Sequence, residues 1–335
     1  MKARNLPQRW IRLALGILAV TTASGSAFRD RVVLDMEHVD FRVNYSPGGT
    51  NELFVTLYDS DGRTNYMATN VVLVVRAAAG LQLPEGFPEL GEPGSPFWIL
   101  PQSQDPQLLY LGASGEGLPR GVFGQDPEIR LTSVQAAGAF FAWRTDAVGN
   151  LQISMDSRNG LGPEDVIATS PGGHSHYNWG FSSNGFYQVS FQAEGRLAGA
   201  STNLTALPSQ FLFAVEPLPV APESGAGLSV LDVGMDGLEL ALSGVPGAAY
   251  CVEMSPDLES WSEGPLVVAS PQASRFIIAI TDPEIPLFVR AVSLDAAASA
   301  AGLSPTSTGR WGPQIIGRRD RPGVDPRRSE IRPVP

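Results

Sequence analysis

The stretch His38-Val39-Asp40-Phe41-Arg42-Val43-Asn44-Tyr45 alternates apolar and polar residues without a break. Successive side chains of a strand point to opposite faces. Val39, Phe41, Val43 and Tyr45 therefore share one face, and His38, Asp40, Arg42 and Asn44 share the other. A helix would scatter both sets around its axis. The same reading extends outward. Leu53, Val55 and Leu57 alternate, Asp59-Ser60-Asp61-Gly62 has turn chemistry, and a strand is predicted around 71–75. Residues 80–96 are rich in Gly, Pro and Glu and read as a loop. Further strands are predicted at 128–134, 139–144, 151–155, 176–181 and 186–193. No window of twelve or more residues beyond the N-terminal segment carries a 3.6-residue period. With 36 glycines and 28 prolines in 335 residues, the chain suits many short strands joined by turns. The expected fold class is all-β, with an antiparallel β-sandwich domain over residues 28–215.

A Pro-rich linker is expected at 216–226, where prolines interrupt any periodic pattern. Six short strands then follow, at 228–233, 238–242, 249–253, 266–269, 275–280 and 287–292. They predict a second, smaller immunoglobulin- or fibronectin-like β domain over 227–295. In it, Trp261 is expected as a core anchor and Cys251 as an inert buried thiol. Residues 296–335 lose the pattern and are dense in Arg and Pro, which predicts a disordered basic tail.

Residues 1–27 read as an export signal. Lys2, Arg4, Arg9 and Arg12 form a basic start, 13–20 a short apolar run, and Ala23-Ser24-Gly25-Ser26-Ala27 a small-residue cleavage region. The expected location is therefore periplasmic, cell-surface or extracellular. No later segment reaches about 18 consecutive apolar residues, so no further membrane crossing by a helix is predicted. The net charge is −11, and residues 28–309 alone carry −19, which argues against nucleic acid as a partner. The expected partner is an envelope or extracellular ligand. A single cysteine excludes a disulfide framework and a multi-thiolate metal site.

The chain has three histidines, His38, His174 and His176. Alternation puts His174 and His176 on one side of an extended segment, roughly 6–7 Å apart, and gives His38 and Asp40 the same relation on theirs. If the two strands are neighbours, three imidazoles and a carboxylate meet, and neutral imidazoles suit zinc best. The candidate metal ligands are thus His38, Asp40, His174 and His176, with Asn178 continuing the histidine face as a supporting residue. Glu37 falls on the opposite parity. Tyr177, Trp179 and Phe181 oppose the histidines, so a simple core role for the imidazoles is disfavoured. Solvent-facing histidines and a hydrogen-bonded polar cluster are the other readings. Asp59-Ser60-Asp61-Gly62 lacks the spaced oxygen set of a calcium loop, and residues 156–160 read as turn chemistry. There is no nucleophile elbow, phosphate-binding glycine loop or clear Ser/His/Asp pattern, so no enzyme activity is predicted.

Three stretches resemble the choice-of-anchor M domain, related to actinobacterial surface-anchored repeats. They are Val33-Leu34-Asp35-Met36-Glu37-His38-Val39-Asp40; Trp98-Ile99-Leu100-Pro101-Gln102-Ser103-Gln104-Asp105-Pro106 with Leu108-Leu109-Tyr110-Leu111-Gly112; and Gly172-Gly173-His174-Ser175-His176-Tyr177-Asn178-Trp179-Gly180-Phe181 with Gly185-Phe186-Tyr187-Gln188-Val189-Ser190-Phe191. The resemblance spans about residues 31–215 and implies export and surface display, with some members associated with transition-metal transport. The sorting motif and C-terminal apolar helix that would imply anchoring are missing from the sequence given. The stretch from Tyr250 to Trp261 is similar to small modules of Verrucomicrobia-type secreted proteins, which implies an all-β, structural or adhesive unit. The functional expectation is an exported binding or structural protein that holds zinc on the histidine cluster. The alternatives are a metal-assisted hydrolase on the same histidines, with Asp40 as base, and a carbohydrate-binding module using Trp143 or Trp179.

Overall fold

A computed structural model describes residues 28, 31–48, 52–221, 226–234, 237–280, 282 and 285–294. The expected export signal and basic tail lie outside these residues. The described residues form strands joined by turns and loops, and their helices are two single-turn 3-10 helices, Ala68–Asn70 and Ala77–Ala79.

Three sheets make the larger part. The first runs in the order Val32–Leu34, Val71–Val75, Ser209–Val215, Gly185–Gly195, Glu128–Ala136, Val166–Ala168, with Leu204–Thr205 beside Gly185–Gly195. The second has the order His174–His176, Tyr110–Gly117, His38–Ser46, Glu52–Asp59, Thr64–Tyr66. The third has the order Leu151–Asp156, Phe140–Thr145, Asn178–Phe181, Pro96–Leu100, Gly80–Gln82. The second and third sheets lie side by side across Tyr177 and together cover the first. The core between the layers takes Phe41 and Val43 from the second, Trp179 and Phe181 from the third, and Phe191, Phe211 and Phe213 from the first. Phe41 is fully buried, with ring centroids 4.6 Å from Phe191 and 4.9 Å from Phe211. The apolar face of the decisive strand thus packs inward as its alternation requires.

The sandwich is not purely antiparallel. Val71–Val75 runs parallel to both Val32–Leu34 and Ser209–Val215, and His38–Ser46 runs parallel to Tyr110–Gly117. Parallel neighbours need long crossovers, and here further strands fill them. The expected single strand 176–181 is two strands, because the chain changes sheets at Tyr177. The expected loop 80–96 begins and ends in strand, and the part between, with Leu83 and Leu90, folds over Phe97, Ile99, Phe141 and Trp143.

Residues 227–293 form two three-stranded sheets around a core of their own, including Leu238, Leu240, Leu242, Tyr250 and Val252. This unit sits on the outer face of the first sheet. Val72, Val74, Phe186, Leu212 and Ala214 meet Ala249 and Val268 in an apolar seam. Hydrogen bonds cross it, since Phe186 N–H donates to Gly247 O (2.7 Å) and the Gln188 side-chain Nε2 donates to Leu266 O (2.8 Å). Gly185 is needed at this contact: its φ is +115°, and a β-carbon there would lie 2.8 Å from Gly247 Cα.

Two expectations in the smaller unit differ in outcome. Trp261 is not a core anchor. It is half-buried, with the Arg290 guanidinium 4.0 Å above its ring and its Nε1 donating to Leu258 O. Cys251 is half-buried too, and burial, reinforced by Glu263 and Glu253, pushes its thiol up to about 11.

Candidate metal centre

The outward face of the second sheet carries the polar half of the decisive strand. His38 starts its strand, and the turn at 59–62 pins it there. Asp59 Oδ1 accepts the backbone N–H groups of Asp61 and Gly62 at 2.9 Å. That holds Asp61 so that its Oδ2 accepts His38 N–H (3.1 Å), while Ser60 N–H donates to His38 O (2.8 Å). The turn reading of 59–62 therefore describes a support for His38.

The strands bearing His38 and His174–His176 are not neighbours. Tyr110–Gly117 lies between them, pairing Asp40 with Gly112 on one side and His176 with Gly112 on the other. Two strand spacings amount to about 9.6 Å, too far for short side chains but within reach of two facing imidazoles. Glycine at 112 leaves the gap open. A β-carbon there would overlap Asp40 Oδ1 and come within 3.1 Å of His176 Cε1. The rings meet over this glycine.

His38 Nε2 and His176 Nε2 are 3.1 Å apart, and one nitrogen from each of His38, His174 and His176 lies within 4.8 Å of the others. Ligand atoms around a tetrahedral zinc with bonds of 2.0–2.1 Å are separated by about 3.3 Å, so the His38–His176 pair already has that spacing. His174 is the exposed member. Its Nδ1 is 3.3 Å from Glu116 Oε1. The three imidazoles are thus close enough to hold one metal ion.

Asp40 stands beside this set and outside it. Its Oδ2 is 3.8 Å from His38 Nε2, and the residue is 1% exposed. Burial raises its pKa against the lowering influence of His38 and His174. Its Oδ1 has no hydrogen-bond donor. His176 stacks on Tyr110 at 3.6 Å with the rings 7° from parallel, and its buried Nδ1 also lacks a partner. Burial first, then the neighbouring His38, brings the His176 pKa down to about 4. The imidazole is therefore neutral at pH 7, the form that ligates metals.

Several expected residues lie elsewhere. Asn178 does not support the histidines. It has crossed into the third sheet, where its Oδ1 accepts Gln102 N–H (2.9 Å) and its Nδ2 donates to Gln102 Oε1 (3.1 Å). Glu37, which parity had set apart from the ligands, accepts the N–H groups of Asp35 and Met36 and lies outside the three-histidine group. Trp143 and Trp179 are 3% and 1% exposed, so neither offers a platform for a sugar. Tyr110, Gly112 and Glu116 were not foreseen. Their signal was the spacing of Tyr110, Gly112, Ser114 and Glu116, every second residue of one strand.

No protein-family model matches the chain, and no curated protein matches it.

Proposed function

We propose that this chain is an exported envelope or surface protein whose larger sandwich captures a transition-metal ion, zinc by preference, on His38, His174 and His176. The proposal includes its kinship with the choice-of-anchor M domains, on the motifs quoted above. The observation that carries the metal reading is the convergence of the three imidazoles together with the buried Asp40 Oδ1, which has no donor. A polar cluster built to hold a loop would satisfy its own members. A buried carboxylate whose Oδ1 has no donor, beside three converging imidazoles, is instead a site short of positive charge. A divalent cation supplies that charge. Zinc fits because it accepts imidazole nitrogens at the spacing found, and Asp40 flanks the set. The −19 charge of residues 28–309 draws cations toward the protein.

A binding role is favoured over hydrolysis. A general base must reach the proton it removes, and Asp40 is covered by the rings around it. The test is the metal content of protein purified without added metal, set against the His174→Ala/His176→Ala variant. The expected result is one zinc per chain in the parent and none in the variant. Equal and negligible zinc in both would overturn the metal reading.

A further inference from the structure

A cleft of about 400 Å³ opens where the smaller unit meets the sandwich, on the opposite layer from the histidines. Its walls include Met67, Thr69, Pro208 and Gln210 from the sandwich and Leu266 from the smaller unit. This volume is in the range of sites that hold small organic ligands.

The cleft contains one charged residue, Arg31. Arg31 is half-buried, and burial alone perturbs its guanidinium, lowering its pKa. Among the described residues no carboxylate forms an ion pair with it. A half-buried guanidinium with no ion pair among the described residues is unusual in a protein body carrying −19, where acidic partners are plentiful. Two glutamine side chains also line the cleft. Gln188, 4% exposed, is fixed by donating to Gln210 Oε1 (3.2 Å) and Leu266 O (2.8 Å). That leaves the Gln210 amide NH₂ as a second donor at the cleft. The remaining lining is largely apolar.

We infer that this cleft binds a small organic monocarboxylate, with the carboxylate on Arg31 and an apolar body against Met67, Pro208 and Leu266. The guanidinium fork matches a carboxylate, and charge-assisted pairing of this kind is the strong form of hydrogen bond. One cation matches one negative charge, and the acidic body disfavours a phosphate dianion. Because the walls come from both units, the ligand would hold them together. The inference is independent of the metal site.

Titration calorimetry with benzoate, in EDTA, tests it on the full chain, so that its outcome does not depend on bound metal. The expected result is one benzoate per chain, with inorganic phosphate at least about tenfold weaker. Arg31→Gln should weaken benzoate by about tenfold or more. Thr69→Trp, a change at an exposed wall position, should block binding while leaving the melting temperature unchanged. If Arg31→Gln does not fold, Thr69→Trp decides. No benzoate binding by the parent, undiminished binding by either folded variant, or phosphate binding as tight as benzoate would overturn the inference.

Discussion

Asp40 is the residue on which the site's energetics turn. Its carboxylate is buried, its Oδ1 is unpaired, and burial raises its pKa. A carboxyl with a raised folded pKa favours folding while it is protonated, and that contribution is lost as pH rises through the folded value. Metal-free protein near pH 7 therefore carries Asp40 as a cost, and a bound cation offsets it. Asp40→Asn should raise the melting temperature of EDTA-treated protein by ~2–4 °C, about 1 kcal/mol for a domain of this size, while weakening zinc binding. Calorimetry with and without zinc measures both. A lower melting temperature in the metal-free variant would mean that Asp40 anchors the fold.

At the scale of elements, the site depends on a strand that brings no ligand. Tyr110–Gly117 separates the two histidine strands, and Gly112 lets the rings close over it. Gly112→Ala should abolish zinc binding, since the added methyl overlaps Asp40 Oδ1 and crowds His176. Zinc affinity equal to the parent's would contradict this account of the gap. The sequence made some of this arrangement readable. Period-2 alternation placed His38 opposite Phe41, because Phe41 faces the core while His38 stays partly exposed. The parity of His174 and His176 against Trp179 ends at Tyr177, where the chain changes sheets and Asn178 and Trp179 are both buried. Alternation failed where both faces are covered. Val71–Val75 was visible as a β-branched run, but Ser209–Val215 and Pro96–Leu100 show no alternation. Phe211 and Phe213 face the core while Leu212 and Ala214 face the seam, and Trp98 and Phe97 are likewise buried on opposite sides. Strand order was equally hidden. No local pattern reports that His38–Ser46 runs parallel to Tyr110–Gly117, since that pairing is made across more than sixty residues.

Over the whole molecule, the two bodies are coupled by an apolar seam rather than by a free linker. Val72, Val74, Phe186, Leu212 and Ala214 would face water if the smaller unit left. Leu212→Ala should cost about 2–4 kcal/mol, and calorimetry should record it as a lower melting temperature for one shared transition. Two transitions, with only one of them moved, would show that the units unfold independently. The histidine cluster lies on the layer facing away from this seam, so seam variants should keep their zinc affinity while they remain folded.

The most direct test of the central claim is anomalous diffraction at the zinc edge from crystals of the protein grown with equimolar zinc. One peak is expected, about 2.0–2.1 Å from one ring nitrogen each of His38, His174 and His176. The absence of a peak among those three rings, or a peak held by other residues, would contradict it.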